Sequence, residues 1–166
     1  DHYQTNYTYY NSRLDPRIFS TPLKTVTTFD WSTNKIPHDV GNWIAGFIDG
    51  EGSFAVRSDG SHSFKVSLRA DDKSTLDMIK SVMDIPDLVK IYSNKKRRNE
   101  GQKVGDSAIL YVHSNPVQKL RIIPFFDKFT LRSKKSIDYL IYREAVLLAC
   151  KKEEETPRRI RYHQYE

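Results

Sequence analysis

The sequence predicts an α+β fold whose elements run helix, strand pair, helix, strand pair and then two helices. Three observations predict it. Residues 39–52 carry apolar side chains at helical spacing and close on paired glycines. Four short runs alternate apolar and polar residues, grouped as 53–58 with 63–70 and 88–94 with 107–114. Helical spacing then returns after each pair.

The 166 residues suit one domain with a real core, residues 37–150, between an extension at 1–36 and a charged tail at 151–166. No apolar run approaches the length that crosses a membrane. A net charge of +6 favours a polyanionic partner. The single Cys150 excludes an internal disulfide framework and a multi-cysteine zinc site. The five histidines lack ligand spacing, and neither a phosphate-cradling glycine loop nor a Gly-x-Ser-x-Gly nucleophile turn is present.

The extension is rich in Tyr, Thr, Ser and Asn, with no sustained period; Phe29 and Trp31 are its expected docking points on the core. Asp39 is a cap candidate for the first helix, with Trp43, Ile44, Phe47 and Ile48 facing a core. Gly46 and Gly50, four apart, leave one side nearly bare, so that a second backbone can come close. Gly50-Glu51-Gly52 ends the helix. Glu51 thereby stands where the negative end of the helix dipole and open carbonyls already gather negative charge, which a divalent cation would relieve.

Asp59-Gly60 is a hairpin signal between the first two strands. Phe54, Val56, Phe64, Val66 and Leu68 form one apolar face; Ser53, Ala55, Arg57, Lys65, Ser67 and Arg69 form a polar face with three cations. That bias points to nucleic acid. The second helix has Ser74 and Asp77 at capping-box spacing, an inward stripe of Leu76, Ile79, Val82 and Met83, and Pro86 at its end.

In the second strand pair Lys90, Tyr92 and Tyr111 are further candidates for the nucleic-acid face. Between the strands, Lys95, Lys96, Arg97 and Arg98 form a candidate phosphate clamp at a loop tip. Asn115-Pro116 starts a helix with Val117, Leu120 and Ile123 inward as far as Pro124. A longer helix to about Glu154 is expected to bury Ile137, Leu140, Ile141, Leu147 and Leu148. Residues 115–135 hold six Lys/Arg, Arg132 among them, against one Asp, so charge is segregated along the chain. Arg158, Arg159 and Arg161 are expected in a solvated tail, with contact to phosphates as the alternative.

Ile44-Ala45-Gly46-Phe47-Ile48-Asp49-Gly50-Glu51-Gly52, followed by Ser-Phe and a strand, resembles the nine-residue signature of the LAGLIDADG homing endonucleases. The element order is similar to that family's αββαββα core over about residues 37–150. The resemblance implies a four-stranded antiparallel sheet that forms a nucleic-acid-binding saddle and reads the major groove. It implies that Glu51, with a carbonyl near Gly50, holds Mg²⁺ at the scissile phosphates. Ser133-Lys134-Lys135 before Asp138-Tyr139 resembles the family's Ser/Thr-x-Lys element and makes Lys135 the match to its active-site lysine. One departure is Asp71-Asp72, where some members carry glutamine at the end of the second strand.

The signature occurs once, which implies a homodimer paired through Trp43, Gly46, Phe47 and Gly50. The expected function is metal-dependent cleavage of both strands of a long double-stranded DNA site. By the same resemblance the setting is organellar, mitochondrion or chloroplast. The competing expectation is an RNA-binding protein on the same fold, either an intron-splicing maturase or a catalytically inactive ribosome-associated relic that binds ribosomal RNA.

Overall fold

The computed structural model describes residues 36–156. The expected docking of Phe29 and Trp31 and the tail arginines fall outside that range. Helix α1 (His38–Glu51) leads without a break into strand β1 (Gly52–Val56), which turns back into β2 (His62–Arg69). The turn is the expected one: Gly60 has φ +82°, and its N–H donates to the Arg57 carbonyl over 2.9 Å. A short 3₁₀ turn (Ala70–Asp72) leads to α2 (Lys73–Val82). Strands β3 (Lys90–Tyr92) and β4 (Ser107–Val112) flank a five-residue helix, α3 (Lys95–Asn99). Next come α4 (Asn115–Val117), a π-helical turn (Gln118–Ile122), α5 (Ile123–Lys128) and the long α6 (Lys135–Glu155).

The four strands form one antiparallel sheet in the order β1-β2-β4-β3. Its register settles the faces. Phe54 opposes Phe64, which opposes Val112, and Val66 opposes Leu110, all toward the helices. Ser53 opposes Lys65, Lys65 opposes Tyr111, and Ser67 opposes Ile109, all away from them. Phe54 is the centre of the core, with its ring 5.1 to 5.3 Å from those of Phe64, Phe126, Tyr139 and Tyr142. Each such buried ring contributes about 1.5–3 kcal/mol of hydrophobic stabilisation.

Several local expectations are corrected. Residues 88, 89, 93 and 94 lie outside β3, and β4 stops at Val112. The N-cap positions are Pro37, Asp72 and Ser114 in place of Asp39, Ser74 and Asn115, and none of the three makes a side-chain cap bond. Asp77 accepts a 2.7 Å bond from the Lys73 ammonium instead, and Asn115 bridges His62 (2.7 Å) to Glu153 (2.6 Å). Leu120 is exposed, because the π turn adds a residue to the repeat and rotates Ile122, Ile123, Phe125 and Phe126 inward. Pro124, which has no N–H to donate, follows directly at the start of α5.

The largest correction concerns α6. Ile137, Leu140, Ile141 and Leu148 are 56%, 62%, 57% and 53% exposed, while Tyr139, Tyr142, Val146 and Cys150 form the buried stripe. Leu147 is only partly buried. The helix can turn its tyrosines inward because both hydroxyls find acceptors. Tyr139 donates to Asp127 Oδ1 (2.7 Å) and Tyr142 to Gln118 Oε1 (2.7 Å).

Candidate active site and nucleic-acid interface

The signature helix splits its residues between two faces. Val40, Ile44, Ala45 and Ile48 are buried under the sheet. Trp43 and Phe47 are half-buried and stack on each other, with ring centroids 5.4 Å apart. Gly46 and Gly50 are exposed, and a Cβ built on either would meet nothing within 4 Å. The bare face therefore lies open, flanked by two aromatic side chains. Gly41 is the opposite case: a Cβ there would run into the Phe129 ring.

At the C-terminal end of α1, the Gly52 N–H donates to the Ile48 carbonyl and closes the helix. That carbonyl takes a second donor, the Lys135 ammonium, over 3.1 Å. A cation from α6 thus reaches the negative end of the α1 dipole, where the charge argument requires one. Asp49 points at the loop that leads into α6. It accepts from the Arg132 N–H (2.8 Å), the Ser133 N–H (3.2 Å) and the Ser133 hydroxyl (2.7 Å). Burial pushes the Asp49 carboxyl up, but these donors and the charge of Lys135 outweigh it and hold the carboxyl below its usual range. Glu51 is exposed and its carboxylate has no hydrogen-bond partner among the described residues, which leaves it available to a ligand.

One carboxylate and nearby main-chain oxygens form a hard donor set. It suits Mg²⁺, which keeps waters and takes one or two carboxylates together with substrate phosphates. Among the described residues no group of three or more His, Cys, Asp or Glu could hold a metal.

Strand β1 begins at Gly52, so Glu51 stands at the root of the sheet's outer face. That face carries Ser53, Lys65, Ser67, Arg69, Ser107, Ile109, Tyr111, Lys90 and Tyr92 in register. Lys65, Ser67 and Arg69 are exposed, as are Lys90, Tyr92 and Tyr111. Arg57 lies past the strand end, with a guanidinium bond to the Ser63 hydroxyl at 3.1 Å. Arg69 pairs with Asp71 at 3.1 Å, which partly neutralises it. The imidazole of His113 stacks on the Tyr111 ring, centroids 5.3 Å apart, an aromatic pair that no sequence spacing signalled.

The basic loop divides in two. Arg98 is committed to the loop itself, donating to Asp106 (2.7 Å) and to the Val104 carbonyl (3.2 Å). Arg97 donates to the Gln102 side chain at 2.8 Å. Asn94 ties the base of the loop to Asp106, Gly105 and Ser107. The Arg98 guanidinium, with the Asn94 N–H, holds the Asp106 carboxyl below its usual range. The Lys95 and Lys96 ammonium groups stay exposed and have no such partners among the described residues. Only half of the expected clamp is presented outward without an internal role.

Arg132 contributes its main chain to Asp49 and leaves its side chain exposed. Sequence reasoning missed Asp49, Asn94 and Asp106, since their partners lie 83, 13 or 8 positions away along the chain.

A basic antiparallel sheet with a carboxylate at its root, set by a glycine-faced helix, defines an α+β protein with a candidate nucleic-acid face and a candidate cation site. A model of the LAGLIDADG endonuclease family matches residues 44–146, and the chain belongs to that family. It is 32% identical over 116 residues to "Probable intron-encoded endonuclease 2" of Neurospora crassa, a match covering 68% of this chain and 23% of that protein. Among solved structures it is similar to the LAGLIDADG homing endonuclease I-LtrWI bound to target DNA. That match has 30% identity and a TM-score of 0.57, and covers 72% of this chain and 41% of that one. It is also similar to the LAGLIDADG meganuclease I-CpaMI bound to uncleaved DNA, at 27% identity and TM-score 0.54, over 72% of this chain and 40% of that one. The chain thus spans under half of each of these relatives.

Proposed function

We propose that this chain forms one half of a site-specific DNA endonuclease that breaks both strands of a long double-stranded target. The observation that carries the reading is the 3.1 Å bond from Lys135 Nζ to the Ile48 carbonyl. It sets a lysine on the helix turn that ends in the free carboxylate of Glu51. Glu51 and a main-chain oxygen near Gly50 would hold Mg²⁺, which supplies charge stabilisation at the phosphate and an activated water. Lys135 stabilises the charge that develops on the phosphate oxygens. The outer sheet face reads base edges in the major groove, and Lys95 and Lys96 hold phosphates.

The open face at Gly46 and Gly50, flanked by Trp43 and Phe47, is filled by the same face of a second copy, which brings a second Glu51 to the two-fold axis. The name of the Neurospora relative supports an intron-encoded origin and, with it, an organellar setting. The test is incubation of the purified chain and Mg²⁺ with a plasmid that carries the junction into which its coding intron inserts. Linear plasmid is expected. An intact plasmid, together with tight and salt-dependent binding of a structured RNA, would overturn the reading in favour of an RNA-binding role.

A further inference from the structure

We infer that Asp49 is the positioning residue for Lys135, acting through Ser133, so that the signature helix carries one acid for the metal and another for the lysine. The inference rests on the endonuclease reading above, because it gives Asp49 its effect through a residue of that site.

The geometry forms a closed circuit. Asp49 Oδ2 accepts from the Arg132 N–H, and Oδ1 accepts from both the N–H and the hydroxyl of Ser133. Three donors from one loop converge on the carboxylate, which leaves it poorly placed to bind a cation. The Ser133 hydroxyl has one proton, and it donates that hydrogen bond to Asp49. Its oxygen can then only accept, and it does so from the Lys135 N–H at 3.1 Å. That N–H opens α6 and is one of the groups a helix cannot satisfy internally. The far end of the same lysine returns to α1, donating to Ile48, the residue before Asp49. Both ends of Lys135 are therefore fixed to the last turn of α1, one by a main-chain carbonyl and the other through the Asp49–Ser133 pair. Without the carboxylate the hydroxyl is free to rotate, the loop amides at 132 and 133 lose their acceptor, and the start of α6 is no longer tied down.

Asp49→Ala tests the idea in the full chain, with two readouts. In free protein, amide exchange at Arg132, Ser133 and Lys135 should accelerate about tenfold or more, while the amides of β2 and β4 keep their protection. With Mg²⁺ and the junction plasmid, single-turnover cleavage should fall by about 10²–10³, as for Lys135→Met, because the same electrostatic stabilisation is removed. Affinity for that DNA should stay within about twofold.

The decisive arm is the double variant. On a Lys135→Met background, Asp49→Ala should change the rate by no more than about twofold, since its effect passes through the lysine. Ser133→Ala should reproduce the cleavage loss of Asp49→Ala and the faster exchange at Lys135, and Ser133→Thr, which keeps the hydroxyl, should behave as wild type even if Asp49→Ala does not fold. Additive losses in the double variant, or unchanged exchange at residues 132–135, would overturn the inference while the endonuclease reading stands. A wild-type chain that leaves the plasmid intact overturns both.

Discussion

The ammonium of Lys135 lies 3.1 Å from the carbonyl oxygen of Ile48, three residues before Glu51 on the terminal turn of α1. A lysine from α6 thereby reaches the same helix end that carries Glu51. Glu51→Gln keeps the shape and removes the charge, and no hydrogen bond in the described structure depends on that carboxylate. Its melting temperature should match wild type and DNA affinity without metal should be retained, while cleavage is lost. Titration calorimetry with Mn²⁺ separates the two residues: metal binding should vanish in Glu51→Gln and persist in Lys135→Met.

Two glycines of α1 make opposite predictions. Gly46 faces open space, so Gly46→Leu should leave the stability of the isolated chain unchanged or raise it, by up to about 1 kcal/mol of helix propensity. It should nevertheless abolish self-association in sedimentation, because the added bulk blocks a second backbone. Gly41→Ala drives a methyl group into Phe129 and should cost about 1–3 kcal/mol by overpacking, measured by urea denaturation. A monomeric wild-type chain that cleaves the plasmid would refute the paired-helix reading.

The divided basic loop predicts two kinds of binding defect. Removing both Lys95 and Lys96 should weaken specific and random DNA alike and reduce the salt slope by about 1 for each phosphate no longer neutralised. Lys65→Ala and Tyr111→Ala, on the sheet face, should instead relax preference among sequences. Asp106→Asn breaks the ion pair that folds the loop and should loosen binding without removing any cation. Competition binding at several salt concentrations distinguishes the three outcomes.

Stability should depend on pH through Asp127. Burial raises its carboxyl, but bonds from Arg143 and Tyr139 outweigh that and lower it below the usual 3.8. A carboxyl lowered in the folded state stabilises above its unfolded value, and the gain is lost as pH falls through the folded value. The thermal midpoint should therefore drop below about pH 4, and Asp127→Asn should flatten that drop.

The long helix offers a last contrast. Leu140→Gln changes an exposed side chain and should stay within about 0.5 kcal/mol of wild type. Tyr142→Phe strips the partner from the Gln118 carbonyl, in a side chain whose Nε2 already lacks one, and should cost about 1–3 kcal/mol. Chemical denaturation of both variants reads the difference directly.

From the sequence alone the αββαββα order without the short α3, the helix end at Gly50–Gly52, the turn at Asp59-Gly60 and the two faces of β1 and β2, save Val56, which is exposed at the strand end, were legible. Each is written in neighbouring residues: glycines stop a helix, and a period of two sorts a strand. The inward face of α6 was not legible. Its aliphatic residues carry no polar group that burial would strand, whereas only Asp127 and Gln118, brought up from another part of the fold, make two buried tyrosine hydroxyls tolerable. The division of Lys95, Lys96, Arg97 and Arg98 depended likewise on Asp106 and Gln102 across the loop. The meeting of Asp49 with Ser133 and of Ile48 with Lys135 joins positions more than eighty residues apart. Local spacing carries no information about such pairs, because a hydrogen bond depends on distance in space and the fold alone sets that distance.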